Sequence, residues 1–160
     1  MMELITESRI AEDRMSSKPS QPVAPAEEAA PAIDARAVAI DTLQTLGEFT
    51  RILADRCRYA GELFRNPSAD AHAEMVQLAD GLGTFHESLT TARAVLEIPM
   101  EGELIALEAD FKSILEDLAV FHEQEKYDYV SELLFDHLAA NLDRWGDHGL
   151  GALIARIAKV

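Results

Sequence analysis

The chain has 160 residues, 48% of them hydrophobic, and carries 29 Asp and Glu against 14 Lys and Arg, a formal charge of −15. That length suits one domain with a tail, and that charge opposes association with phosphate backbones or anionic lipid, so nucleic acid and membrane are not expected as partners. The single cysteine, Cys57, cannot form an internal disulfide, and no apolar run approaches the roughly 18 residues of a membrane span.

The opening "MMELITESRIAEDRM" alternates acids with apolar residues and lacks the basic start and continuous apolar stretch of a secretion signal. A soluble, cytoplasmic protein is the expectation. Leu4, Ile5, Ile10 and Met15 line one side of a segment too short to hold a helix alone in water. Pro19, Pro22, Pro25 and Pro31 then punctuate a stretch of Ala, Pro, Ser and Glu from Ser16 to Ala32 with almost nothing to bury. Residues 1–32 therefore read as a flexible N-terminal segment and Pro/Ala-rich linker, and residues 33–160 as a helical bundle domain.

From Ile33 the apolar period is helical, and the remaining prolines, Pro67 and Pro99, fall where it is interrupted. A first helix is predicted over about Asp34 to Arg65, with Leu46, Phe49, Leu53, Cys57, Ala60 and Phe64 on one face. A second, capped at Ser68 and running to about Glu97, carries Met75, Leu78, Leu82, Phe85, Leu89, Ala92 and Leu96 in unbroken three-four alternation. A third, about Glu101 to Gln124, repeats the pattern with Leu104, Leu107, Phe111, Ile114, Leu118 and Phe121. Continuing its phase would put Glu125, Asp128 and Glu132 on the buried stripe, so a break is expected near "HEQEKYD" although neither Gly nor Pro stands there.

A fourth helix in a new phase runs to Trp145, where "WGDHGLG" suggests a C-cap and a bend. A last short helix shows Leu153, Ile154 and Ile157 on one side. Four long helices with short connections predict an all-α, antiparallel up-down four-helix bundle with a short C-terminal helix and a disordered N-terminal segment.

Five histidines are the natural place to seek chemistry. The ferritin-like pattern needs Glu three residues before His, but Ala69, Gly83, Ala119, Leu134 and Trp145 occupy those positions before His72, His86, His122, His137 and His148. Neither His86-Glu87 nor His122-Glu123 has a second histidine three residues on, which removes the zinc-protease pattern. Along their helices His86 and His122 fall at levels roughly 15 Å apart, too far to share a ligand. Gly81 and Gly83 lie inside a helical seam without the strand and lysine of a phosphate loop, and read as permitting a bend or a close helix approach. Cys57 packs. No catalytic, cofactor or metal residue is assigned.

Around "AHAEMVQLADGLGTFHESL" the chain superficially resembles the histidine phosphotransfer domains, which place a lysine three residues after the phosphorylated histidine. Met75 stands there after His72, so the cation that would hold the phosphoryl oxygens is missing. "YDYVSELLFDHLAANLDRW" in turn resembles the closing helix of a family of small bacterial helical domains of unknown function, through Asp128, Tyr129, Val130, Leu134, Asp136, Leu142 and Trp145. That resemblance implies a helical bacterial domain and transfers no catalytic residue.

On the wheel of this helix, Tyr127, Ser131, Leu134, Leu138, Asn141, Leu142 and Trp145 share one arc, while Asp128, Glu132, Asp136 and Asp143 gather opposite without interleaved lysines. Those acids, with Phe135 beside them, form the candidate partner-binding surface. The expected function is a non-catalytic, cytoplasmic, protein-binding bundle of adaptor or secretion-chaperone type whose partner is basic or helical. The alternatives are a phosphotransfer-like signalling bundle using His72 or His86, a metal-binding bundle, and a self-associating protein.

Overall fold

Four long amphipathic stretches separated by two proline turns and a charged break become helices in the computed structural model, which describes residues 33–158. The expected flexible N-terminal segment and Pro/Ala-rich linker, residues 1–32, lie outside the described residues. Helix α1 is Ala35–Leu63, α2 is Ala69–Leu96, α3 is Glu103–Glu123, and α4 covers residues 127–158. All the predicted core positions on α1, α2 and α3 are buried or half-buried, and no strand occurs among the described residues.

The turns explain where each helix stops. Ser68 caps α2 in extended backbone, although its hydroxyl makes no capping bond, and its carbonyl accepts from the N–H groups of Ala71 and His72. At the other end Glu97 adopts φ 55°, its N–H donating to Ala94 O and that of Ile98 to Arg93 O. Helix α3 ends the same way, with Glu125 at φ 58° and Lys126 N–H donating to Phe121 O at 2.9 Å. The break in "HEQEKYD" is thus a left-handed residue built from glutamate where glycine would be relaxed.

Left-handed backbone costs a β-carbon-bearing residue about 1–2 kcal/mol, partly offset by the greater freedom glycine has when unfolded. Glu125→Gly is therefore expected to stabilise the protein by about 0.5–1 kcal/mol, also removing an acid from a helix C-terminus. Thermal melts should show a rise of a few degrees.

The predicted stop at "WGDHGLG" needs correction. Helix α4 passes straight through it, with wider π-helical turns at Leu133–Leu138 and Trp145–Gly149, and the predicted last helix is its continuation, Leu150–Ala158. The glycines serve packing instead. A β-carbon on Gly149 would lie 2.6 Å from Trp145 Cε3 and 2.9 Å from Leu107 Cδ2, and one on Gly146 would lie 2.7 Å from Thr50 Oγ1. Gly61 of α1 has a similar duty, since a β-carbon there would meet Phe135 Cβ at 3.0 Å and Ser131 O at 3.1 Å. At this close approach the N–H of Arg65 turns to Glu62 O, and the Gly61 carbonyl at the helix end accepts from the Ser131 hydroxyl at 2.7 Å.

Helix α1 packs closely on α2 and along the whole of α4, and α3 packs on α4. The backbones of α2 and α3, by contrast, barely approach. One side of the bundle is left ajar over a floor where Phe85 meets Phe111 (centroids 5.6 Å) and Trp145 (6.0 Å).

Candidate functional site

The gap between α2 and α3 is an apolar groove of about 410 Å³, walled by Met75, Leu82 and Gly83 from α2 and by Phe111, Leu115 and Leu118 from α3. Small residues keep it open: Ala79 and Ala119 line it, and a β-carbon on Gly83 would meet nothing within 4 Å. The glycine pair of α2 therefore divides. Gly81 permits close helix approach, since a β-carbon there would lie 2.8 Å from Leu53 Cδ2, whereas Gly83 leaves space unfilled.

Polar groups stand at both ends and on the shoulders. Lys112, His86 and His122 line the groove. By the 100° step of a helix, the exposed Asp80 and Glu87 of α2 and Glu116 and Glu123 of α3 flank it. His86 stacks on Phe111 (centroids 6.0 Å, 9° between planes).

The other end holds a pairing that helical-wheel reasoning missed. His72 Nδ1 lies 3.3 Å from His122 Nε2, with both rings packed against Phe64 and Tyr127. Levels along the helices separate His86 from His122, but α2 begins where α3 ends, and that end-to-end register joins His72 to His122. Among the described residues, no group of three or more His, Cys, Asp or Glu side chains is placed to hold a metal ion.

The acids singled out on α4 do not form one free row. Asp128 and Glu132 are exposed, but Asp143 accepts a hydrogen bond from Arg58 of α1, so a cation missing from its own helix arrives from a neighbour. Both partners are more than a third exposed, which limits the pair to about 0.2–1 kcal/mol. The bond to Asp143 raises the Arg58 pKa. Asp136 and His137 border a shallow hollow with Asp110 and Arg144. Phe135 is half-buried, with the Arg65 guanidinium 5.6 Å from its ring centre. That covers the apolar side chain expected beside the acids.

The model of the family described as "Domain of unknown function (DUF8042)" matches residues 41–148. The chain belongs to this family. The matched stretch takes in α1 from residue 41 onward, the whole groove and both of its histidine ends, and it stops within the second π-helical segment of α4. No curated protein and no solved structure matches the domain.

Among the described residues, Cys57 is the strongly perturbed group. It is buried against the α1–α4 contact, and burial pushes its thiol up to about 12, Arg58 opposing this and Asp143 adding to it. A folded-state pKa raised above the usual value gives stability that is complete below about pH 9 and is lost as pH climbs toward 12. The native protein at pH 8 is therefore expected to react with a chromogenic disulfide reagent only at the rate at which it opens, and stoichiometrically in denaturant.

Proposed function

We propose that the domain is a non-catalytic protein-binding module of the bacterial cytoplasm, of adaptor or secretion-chaperone kind, whose α2–α3 groove receives a basic amphipathic helix from another protein. The observation that carries this reading is the groove itself: a continuous apolar channel, held open by Ala79, Gly83 and Ala119, in a chain of formal charge −15. From Met75 to His86 the wall runs about 16 Å, three helical turns, enough for apolar residues at i, i+4 and i+7 of a partner helix. Acids on both shoulders favour Lys and Arg beside that stripe and disfavour an acidic helix.

The chemistry of the histidines also supports a binding role over phosphotransfer. His72 has its Nδ1 turned to His122, and His86 Nε2 is buried. Among the described residues no helix is long and apolar enough to cross a membrane, so a partner in the aqueous phase is the economical one.

A synthetic helical peptide with leucines at those three positions and flanking Lys and Arg tests the proposal. Saturable binding that weakens with salt, together with chemical-shift changes at Leu82 and Leu115, is expected. A scrambled peptide of equal charge should not bind. Equal binding of both peptides, or occupation of the groove by a second copy of the chain in light scattering and NMR, would overturn it.

A further inference from the structure

The groove is bridged at each end by a histidine of α2, and the two bridges are of opposite kinds. Toward the α1–α2 turn, His72 Nδ1 meets His122 Nε2 of α3 at 3.3 Å. An imidazole pair of this sort needs one ring to donate and the other to accept, so it holds only while at least one ring is neutral. Toward the other end, His86 Nε2 lies 3.8 Å from Glu108 Oε1 of α3. That separation is too long for a hydrogen bond, and the nitrogen is buried with no partner. Protonation would turn this idle contact into an ion pair.

We propose that these are two proton-responsive clasps across the groove: acidification opens the His72–His122 end and draws His86 onto Glu108, reshaping the groove and reducing its negative charge. The inference rests on the docking reading for its biological meaning, because it describes regulation of that same site.

The surroundings of each clasp favour this sense. Phe64, just past the end of α1, and Tyr127 of α4 pack around the first pair at centroid distances of 5.5 to 6.1 Å. Aromatic faces accommodate one imidazolium, but two cations at this separation repel strongly. The charged residues around Phe64 and Tyr127 are Arg65, Glu125, Lys126 and Asp128, two of each sign, which leaves no dominant carboxylate to neutralise a doubly charged pair. On α2, Glu74 is already engaged by Arg56 of α1 at 2.6 Å, and Asp70 lies in the exposed first turn. Facing His86, α3 offers Glu108 and, on the same groove wall, Lys112. Imidazole is the side-chain type whose ordinary ionisation lies nearest neutral pH, which makes the proton the signal to test at these contacts.

The test uses the full chain. Histidine ring signals would be followed by NMR from pH 8 to pH 5 in wild type, His72→Gln, His122→Gln and Glu108→Gln. Replacing either member of the first pair should change the titration curve of the other, and Glu108→Gln should change that of His86 alone. Amide exchange, corrected for its intrinsic pH dependence, should lose at least about tenfold protection in the first turns of α2 and the last turn of α3 between pH 7.5 and 5.5. The cationic peptide should bind at least about tenfold more weakly over the same interval, a loss reduced in His122→Gln. Should a variant not fold, wild-type exchange still decides. Independent titration curves, or protection that is flat with pH, would overturn the clasps; clasps that titrate as expected while the peptide binds at no pH would overturn the docking reading alone.

Discussion

Replacing Trp145 with alanine is expected to remove about 3–5 kcal/mol of stability, the cost of emptying a large buried aromatic site. Trp145 is 1% exposed and lies against Phe85, with Gly149 and Leu107 closing the space around it. A domain of this size has about 5–15 kcal/mol in total, so the loss is a large fraction of the whole and should lower the melting temperature markedly. Trp145→Phe separates volume from polarity. It keeps most of the ring and deletes an indole N–H that is buried without a hydrogen-bond partner, so its cost should be much smaller. Denaturant melts followed by far-UV circular dichroism give both numbers, and equal losses in the two variants would contradict the argument.

The second large effect concerns binding. Gly83→Trp aims an indole toward the groove from a position where a β-carbon meets no atom within 4 Å, and it removes a glycine from the helix interior. Stability should be unchanged or slightly increased. Binding of the cationic helical peptide should weaken by about 30-fold or more, the size of losing a central contact of an interface. Substitution at Asp143 tests the other surface: Asp143→Asn should cost at most about 1 kcal/mol of stability through Arg58 and leave peptide affinity nearly unaltered. Isothermal titration at two salt concentrations, with thermal melts of each variant, distinguishes the groove from the acidic face of α4.

Much of the architecture was legible in order and period. The three-four spacing from Met75 to Leu96 fixed the buried face of α2, and the proline turns fixed its ends. The break before Tyr127 was legible from phase, because carboxylates at 125, 128 and 132 would otherwise have continued a buried stripe. Chain order alone made glycine look like a stop in "WGDHGLG", since a helix end and a tight helix crossing ask for the same residue. Only the neighbours Thr50, Leu107 and Trp145 reveal that Gly146 and Gly149 are needed for contact.

Sequence by itself determined that the chain is acidic and that its described part is helical around one continuous apolar core, because period and composition act locally or in sum. Tertiary structure decided everything that depends on relative placement. It set α2 apart from α3, joined His72 to His122 across 50 positions of chain, gave Asp143 its cation from α1, and covered Phe135 with Arg65. A helical wheel gives each residue an angle on its own helix; which wall that angle faces, and whether the facing wall is in contact or ajar, is settled only when the helices pack.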